Sequence, residues 1–318
     1  MKKFMKICGI TVAILLAVGL ILAVIGKIGG GSSRLLGQIL DGRFNWKIDW
    51  DAFSMGDKLE SVFGDLDTFD IDEKNLFDKA FAVIRNEDSW QQSFSADDIH
   101  DLDLELGGLM LTIEESPDSE FHVEAGKIGS LQAYVQNGTL YVRGVKTGNW
   151  SDKLVMEVTL KIPAGVIFTE VEFSLGAGDF HVDTALIAKE ATFEIGAGRL
   201  QIKDLQAGEL ECELGAGQVL IDNAELVNAS LEVGVGELRF AGSIAGDLDA
   251  ECAMGSIKME IFGSTWQDHN YKLECGAGSL TAGERHLSGL AGSDFIDNHA
   301  ASTYDLSCVM GELTLTFQ

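Results

Sequence analysis

The sequence contains few of the residues, and none of the spacings, that build common catalytic and metal sites. Its 5 cysteines and 6 histidines are dispersed over 318 residues, with no Cys-x-x-Cys, no His-Glu-x-x-His and no recognisable Ser/His/Asp or Cys/His arrangement. Structural zinc sites and many hydrolase sites depend on such clusters. The sequence therefore predicts a protein that is not an enzyme and that has neither catalytic residues nor an organic cofactor.

Basic residues are also scarce. The chain has 23 lysines and arginines against 50 aspartates and glutamates, which gives a net charge of −27 and a pI near 4.4. Nothing offsets repulsion from phosphate groups, so the composition excludes a nucleic-acid partner. It also disfavours adhesion to anionic lipid by charge alone.

Proline is nearly absent, with 2 residues, whereas glycine occurs 37 times. Apolar residues make up 46% of the chain, enough for a substantial core. Because glycine tolerates sharp backbone bends, this composition is typical of a β protein with many corners.

A pattern centred on Gly-x-Gly recurs along the second half of the chain. Its marker glycines are Gly178, Gly198, Gly217 and Gly236, at spacings of 20, 19 and 19, followed more loosely by Gly255, Gly278 and Gly311 at 19, 23 and 33. A fixed period near 20 residues is typical of stacked repeats. The sequence therefore predicts an all-β, single-stranded β-solenoid with about 19–20 residues per rung.

Each repeat predicts two or three short strands with a corner at the Gly-x-Gly. Phe193 and Ile195 alternate with polar residues, but the apolar positions after Gly198 are Leu200 and Ile202, so the parity shifts by one. A glycine bend accommodates that shift. The dinucleotide-binding fingerprint is excluded, because it needs one Gly-x-Gly-x-x-Gly that opens a helix.

The N-terminal residues predict a membrane anchor. Lys2, Lys3 and Lys6 precede twenty uncharged residues, 7–26, which as a helix would span the hydrocarbon core. We expect a transmembrane signal anchor over residues 1–28 with the rest of the chain extracellular. A cleaved signal peptide is the alternative. Residues 29–88 are predicted to be an acidic, partly disordered linker, and residues 89–318 the solenoid domain.

One glutamate recurs before an inward-facing position on five repeats. Stacked rungs would place these carboxylates in register on an outward face: Glu194, Glu213, Glu232, Glu251 and Glu274. One interpretation is a solvated acidic face that prevents edge association. The other is a weak Ca²⁺ site that uses oxygen ligands.

Three cysteines occupy an inward position held elsewhere by Leu175 and Ile195: Cys252, Cys275 and Cys308. They are predicted to be buried free thiols. Placement of Cys252 and Cys275 on neighbouring rungs would also permit a disulfide between them.

Segments that interrupt the period contain aromatic residues suited to contacts with a partner: Trp150, Trp266 and Phe295. The alternative is that these side chains cap the end of the solenoid.

The Gly-Ala-Gly rungs FSLGAGDFHV, FEIGAGRLQI and CELGAGQVLI, behind one N-terminal anchor, resemble a known bacterial family. It is a domain-of-unknown-function family of β-strand-repeat proteins named as "putative adhesins", also called toastrack domains. The resemblance covers about residues 102–318. It implies a solenoid displayed outside the membrane, often linked with envelope-stress sensing, and it supplies no catalytic residues.

These observations together predict a non-enzymatic, membrane-anchored extracellular protein that binds envelope proteins or wall polymers, as an adhesin or a stress-sensing accessory. The alternative is a polysaccharide-acting enzyme on a β-helix, in which carboxylates of the glutamate column would act on the glycosidic bond.

Overall fold

The computed structural model describes residues 76–146, 155–289 and 292–318. These residues belong to the second of two compact units, Phe69–Gln318. The predicted all-β class is confirmed for them. None of the helices among them is long and apolar enough to cross a membrane, and the predicted anchor at 1–28 lies outside the described residues.

Twenty-one strands form one continuous, open sheet over these residues. The N-terminal strands are β1 (Ile84–Arg85), β2 (Ser89–Ser95), β3 (Asp101–Gly107), β4 (Leu109–Glu115), β5 (Glu120–Gly126), β6 (Ser130–Gln136), β7 (Thr139–Val145) and β8 (Met156–Ile162). The central strands are β9 (Phe168–Leu175), β10 (Gly178–Ile195), β11 (Arg199–Leu214), β12 (Gln218–Val233) and β13 (Glu237–Ile244). The C-terminal strands are β14 (Leu248–Cys252), β15 (Ser256–Ile261), β16 (His269–Cys275), β17 (Ser279–Ala282), β18 (Arg285–Ser288), β19 (Gly292–Ile296), β20 (Ser302–Cys308) and β21 (Glu312–Phe317).

The repeating unit is a rung with a first strand, a glycine corner and a second strand. Buried and exposed residues alternate along each strand, as the sequence predicts. Neighbouring rungs pair in parallel, so that Glu194 lies beside Glu213 and Phe193 beside Cys212. A second corner falls where the register shifts between Val182 and Ala185. The long strands β10, β11 and β12 each run from the second strand of one rung into the first strand of the next.

Nine rungs can be followed through the described residues, and we number them by their position in the stack. Their first and second strands are β7 and β8 (rung 1), β3 and β4 (rung 2), β9 and the start of β10 (rung 3), the end of β10 and the start of β11 (rung 4), the end of β11 and the start of β12 (rung 5), the end of β12 and β13 (rung 6), β14 and β15 (rung 7), β20 and β21 (rung 8), and β16 and β17 (rung 9).

The order of the rungs departs from chain order at both ends of the stack. Rung 2 (β3 and β4) comes first in the chain but lies between rungs 1 and 3. Rung 8 (β20 and β21) comes last in the chain but lies between rungs 7 and 9. A strictly sequential stack, in which the Gly278 rung follows the Gly255 rung, is therefore wrong at the C-terminal end.

Antiparallel strands cover the two ends of the stack. At the first end β5 and β6 pair with β8 and β7, and β2 and β1 pair with β5 and β6. Asn137 and Gly138, a residue pair typical of two-residue hairpin turns, connect β6 to β7 with φ angles of 52° and 88°. At the other end β19 pairs with β16, and β18 with β17. Residues 76–88, which the sequence assigns to the linker, contact the end of the stack that β5 and β6 cover. There the ring of Phe81 stacks on that of Tyr134, with the ring centroids 3.9 Å apart.

The core consists of columns of buried side chains that run from rung to rung. In one column Phe173 and Phe193 stack with ring centroids 5.1 Å apart. The neighbouring column, which contains Val171 and Ala191, becomes aromatic at the C-terminal end, with Tyr304 beside Tyr271 and the buried His269 stacked on Tyr304 at 4.0 Å. Because a single rung cannot bury its own apolar side, the stack is the cooperative unit.

The marker glycines form a column in which backbone meets backbone. A Cβ built on Gly198 would lie 2.9 Å from the carbonyl oxygen of Gly178, and one on Gly217 would overlap the carbonyl oxygen of Gly198. That same Gly198 oxygen accepts a hydrogen bond from the Gln218 N–H at 3.0 Å. The corner therefore requires glycine because it leaves no space for a side chain.

Candidate functional site

The outward side of the first strands carries a dense group of carboxylates, which we call the acidic face. The strands place them in two columns, because outward residues alternate with buried ones and each rung pairs in register with the next. The members are Asp103, Glu105, Glu172, Glu194, Glu211, Glu213, Glu232, Asp249, Glu251, Glu274 and Asp305.

Cations pair with the acidic face near its two ends. At rung 1, Arg143 lies 3.7 Å from Glu105 and 3.8 Å from Asp103. At rung 9, the Lys272 ammonium lies 2.6 Å from Asp305 and 3.9 Å from Glu274. Within the described ranges, no lysine or arginine forms an ion pair with Glu172, Glu232 or Asp249 in the middle.

Other basic residues of the stack lie away from the acidic face. Arg239 and Lys258 are register neighbours on the second strands of rungs 6 and 7, where they contact Glu237 and Glu312. The second strands therefore mix the two signs of charge, whereas the middle of the acidic face keeps one sign.

The predicted glutamate column is continuous over four of its five members. Glu194, Glu213, Glu232 and Glu251 pair in sequence along rungs 4 to 7. The fifth is displaced, because rung 8 is inserted and its Ser307 lies between Glu251 and Glu274. A column of five successive carboxylates is therefore a wrong prediction.

Burial and like charge act together on these carboxyls. The pKa of Glu232 is raised above its ordinary value by partial burial first, and then by Glu213, Glu251 and other neighbouring carboxylates. The pKa of Glu172 is raised in the same way, by burial and then by Asp103 and Glu194. The pKa of Asp249 is raised by burial and by Asp305, although Lys272 opposes this. The acidic face is therefore destabilising when it is fully ionised.

This arrangement gives a prediction for stability against pH. The pKa of Glu232 is higher in the folded than in the unfolded chain, so the folded chain binds this proton first as pH falls. Ionised Glu232 therefore lowers the stability of the fold at pH 7. This loss disappears as pH falls towards 4.5, the ordinary pKa of a glutamate. We expect Glu232→Gln to raise Tm at pH 7 by about 1–4 °C, and to lose this advantage as pH approaches 4.5. Thermal unfolding followed by circular dichroism from pH 7.5 to 4.5 measures the difference.

His269 also changes Tm with pH, because burial lowers its pKa. Since His269 is present in both the wild type and the variant, the difference in Tm between them does not contain its contribution. A matched control is Asp222→Asn on a second strand, where the carboxylate accepts a hydrogen bond from Gln201 and lies near Lys203. That variant should gain nothing at pH 7. A Glu232→Gln variant with lower Tm than wild type at pH 7 would contradict the electrostatic account.

The weak Ca²⁺ site stays a prediction. Across residues 76–146, 155–289 and 292–318 no group of three or more histidine, cysteine, aspartate or glutamate side chains is arranged to hold a metal ion. The carboxylates of the acidic face stand one beside another along the stack and do not converge on a point.

The structure separates the three predicted partner-contact residues. Phe295 lies on the end strand β19 and is 68% exposed. Trp266 is half-buried, with its ring stacked on Tyr271 at 3.7 Å and edge-on to Phe317 at 6.4 Å, so it packs against the end of the core. Trp150 lies outside the described residues.

The second acidic column was not predicted from the sequence, although a signal for it exists. Glu211 and Asp249 lie two residues before Glu213 and Glu251 of the glutamate column, and Glu172 and Asp305 lie two residues before the serines that hold the same position on their rungs. The alternation of a strand places these on the same outward side as the glutamate column. The pattern is hard to recognise in the sequence at the rung that carries Ser307, because its marker glycine, Gly311, comes 33 residues after Gly278 and so departs from the regular period.

An open trough lies over Gly126 near the first end of the stack, lined by Gln91, Glu124, Glu157 and Thr159. Its two carboxylates are bound by lysines, Glu124 by Lys161 at 2.8 Å and Glu157 by Lys127 at 2.7 Å. A hydrolytic pair needs one proton-donating and one free carboxyl group, and this trough holds two neutralised carboxylates.

Comparison with known proteins gives one family match. The sequence model of a family described as Toastrack DUF4097 matches residues 99–283. No curated protein is significantly similar to the chain.

Several solved structures share part of the architecture at low similarity. A "putative adhesin" from Bacteroides fragilis is 15% identical, with 73% of this chain and 99% of that chain covered and a TM-score of 0.38. A "putative adhesin" from Parabacteroides merdae is 14% identical, with 74% and 98% covered and a TM-score of 0.41. A "putative lipid binding protein" from Parabacteroides distasonis is 14% identical, with 73% and 98% covered and a TM-score of 0.40. These TM-scores are too low to bear on fold or function.

Proposed function

The chain belongs to the Toastrack DUF4097 family, and from this premise we propose that it is a non-enzymatic, membrane-anchored extracellular protein. Its role is to bind an envelope component, either a protein or a wall polymer, as an adhesin or as an accessory in envelope-stress sensing. The uncharged run at residues 7–26, preceded by Lys2, Lys3 and Lys6, supports the anchor and its orientation.

The acidic face is the observation that carries the binding proposal. Its carboxylates repeat on rungs 2 to 9, with neighbouring rungs about 4.8 Å apart and the same chemistry along the stack. A repeating charged surface suits many weak contacts with an extended partner, whereas an enzyme site collects different groups around one reacting bond. The partner that complements this face carries amines or other cationic groups.

Cross-linking on intact cells tests the proposal. A lysine-to-carboxylate cross-linker applied to cells that express the full chain should attach envelope proteins or wall polymer to the wild type. We expect the triple variant Glu213→Gln, Glu232→Gln, Glu251→Gln to lose most of that attachment, because it removes three adjacent carboxylates of the acidic face.

The matched control removes three carboxylates from second strands: Asp222→Asn, Glu260→Gln and Glu312→Gln. This variant has the same net charge as the first and should retain the attachment. Equal attachment of both variants would contradict a role for the acidic face, and no attachment of the wild type would contradict the binding function itself. Attachment of a membrane protein would favour sensing, and attachment of wall polymer alone would favour adhesion.

The alternative function, a polysaccharide-acting enzyme, can be tested at the trough, although the ion pairs of Glu124 and Glu157 with lysines count against it. Release of wall-glycan fragments by the purified chain, lost in both Glu124→Gln and Glu157→Gln, would establish it in place of the binding role.

A further inference from the structure

Three buried thiols lie side by side where rung 8 is inserted. Cys252, Cys308 and Cys275 occupy the same inward position on rungs 7, 8 and 9 and are register neighbours in that order. Each is at most 3% exposed and none is bonded to another. On rungs 4 to 6 the same position holds Ile195, Leu214 and Val233, so the thiols mark the C-terminal end of the stack, where the inserted rung 8 departs from chain order.

This register corrects the predicted pairing of Cys252 with Cys275. The two residues are separated by a whole rung, and Cys308 lies between them. Adjacent strands are about 4.8 Å apart, within the range of roughly 4.4–6.8 Å between Cα atoms that a disulfide spans. Two rungs apart, the distance is about 9–10 Å and a disulfide cannot form without backbone movement.

Both adjacent pairs meet this distance, and Cys252 with Cys308 is the pair that ties the inserted rung 8 back to rung 7. These two thiols also shift each other's pKa, that of Cys252 upwards and that of Cys308 downwards. Each of these two sulfurs lies beside a marker glycine of the next rung: a Cβ built on Gly311 would lie 2.7 Å from the sulfur of Cys252, and one built on Gly278 would lie 2.8 Å from that of Cys308. The absence of a side chain at Gly311 keeps the space between Cys252 and rung 8 open.

We propose that Cys252 and Cys308 are a disulfide site that fixes the inserted rung 8 to rung 7 when the protein meets a low-molecular-weight disulfide. The proposal concerns the stability of the stack and does not rest on the proposed function.

The exchange proceeds in two balanced steps. The Cys308 thiolate attacks one sulfur of the oxidant, which forms a mixed disulfide and releases one thiol. The Cys252 thiolate then attacks the Cys308 sulfur, which forms the protein disulfide and releases the second thiol. Two protein thiols are oxidised and one oxidant disulfide is reduced to two thiols, with no further reactant.

Cys308 is suited to be the attacking group. The neighbouring Cys252 thiol and the backbone of Ser279, Gly311 and Leu313 lower the pKa of Cys308, although burial opposes this. Because both sulfurs are buried, the oxidant reaches them when rung 8 opens locally, and the bond then prevents further opening.

Oxidation of the reduced full chain with oxidised glutathione, in urea below the unfolding midpoint, tests the site. The experiment uses a Cys8→Ser background. After oxidation the remaining thiols are alkylated, and peptide mapping identifies which cysteines are linked. The expected product has lost two hydrogen atoms and contains a peptide that links Cys252 to Cys308. Its Tm should rise by on the order of 10 °C and return on addition of dithiothreitol, because the bond closes a long loop of the unfolded chain.

Control variants keep the result decisive. Cys252→Val, which reproduces Val233 of rung 6, should fold and show neither the cross-link nor the rise in Tm. Cys275→Ser and Cys212→Ser should keep both. Complete alkylation of Cys252 and Cys308 after oxidation, glutathione adducts alone, or a link between Cys308 and Cys275 would each overturn the proposal.

Discussion

Deletion of residues 302–318 is expected to destabilise the C-terminal third of the stack far more than the loss of a terminal segment usually does. The deleted strands β20 and β21 form rung 8, which lies between rungs 7 and 9 and hydrogen-bonds to both. The deletion therefore removes an interior layer and leaves two facing strand edges without partners.

The size of the effect follows from what rung 8 buries. Tyr304, Leu306, Cys308, Leu313 and Leu315 are all at most 1% exposed. Burial of a large apolar side chain contributes about 1.5–3 kcal/mol, so the loss is on the order of 10 kcal/mol, comparable with the whole stability of a domain. The Tyr304 hydroxyl also donates a hydrogen bond to the Ile244 carbonyl oxygen at 2.8 Å, and the deletion leaves this oxygen without its donor.

Hydrogen–deuterium exchange of the deleted chain measures the result by region. We expect amides of β14 to β17 to lose most of their protection, while amides of β10 to β12 keep it. The control Phe295→Ser changes an exposed residue next to the deletion and should alter neither region. Full protection of β14 to β17 in the deleted chain would show that rung 9 pairs directly with rung 7, and would remove the basis for this prediction.

The second large effect is expected for Gly217→Ala in the glycine column. Gly217 has φ of +145°, and an added Cβ would overlap the Gly198 carbonyl oxygen. That oxygen cannot withdraw without loss of the 3.0 Å hydrogen bond from Gln218. We therefore expect a loss of about 3 kcal/mol or more and a fall in Tm of roughly 6–12 °C, measured by thermal and urea unfolding.

Gly126→Ala provides the matched control, because the nearest atom to an added Cβ there is the Asp88 carbonyl oxygen at 3.9 Å, an ordinary contact. It should change Tm by no more than about 1–2 °C. If Gly217→Ala were as mild as this control, glycine would be present at the corner for a reason other than close approach of the backbone.

The local structure of each rung was predictable from the sequence, because it depends on short-range patterns. Alternation around Phe193 and Ile195 identifies the strand, and the shift of parity after Gly198 identifies the corner. The same alternation places Glu213 and Glu232 outside and Cys252 inside, and the structure confirms these positions. The Asn137-Gly138 turn was predictable because few other residue pairs adopt two positive φ angles.

The order of the rungs was not predictable in the same way. β14, β20 and β16 present nearly the same face, each ending in a buried cysteine, so that any one can lie beside either of the others. Which strands pair is decided by the connections over many residues and by the packing of Tyr271, Tyr304 and Trp266 at the end. The same holds for the acidic face. The sequence predicts that each carboxylate points outward, but it does not predict that Ser307 lies between Glu251 and Glu274.

The position of β3 inside the stack also governs how the domain would respond to mechanical tension. A pull on the N-terminal side of the described residues first reaches β1 and β2, each of which pairs with one neighbour, β6 and β5. It then reaches β3, which pairs in parallel with β7 on one side and β9 on the other. To extract β3, the force must shear two ladders of hydrogen bonds together, whereas β1 and β2 can be peeled away one bond at a time. Rung 2 therefore acts as a mechanical stop, at which unravelling from this side is held.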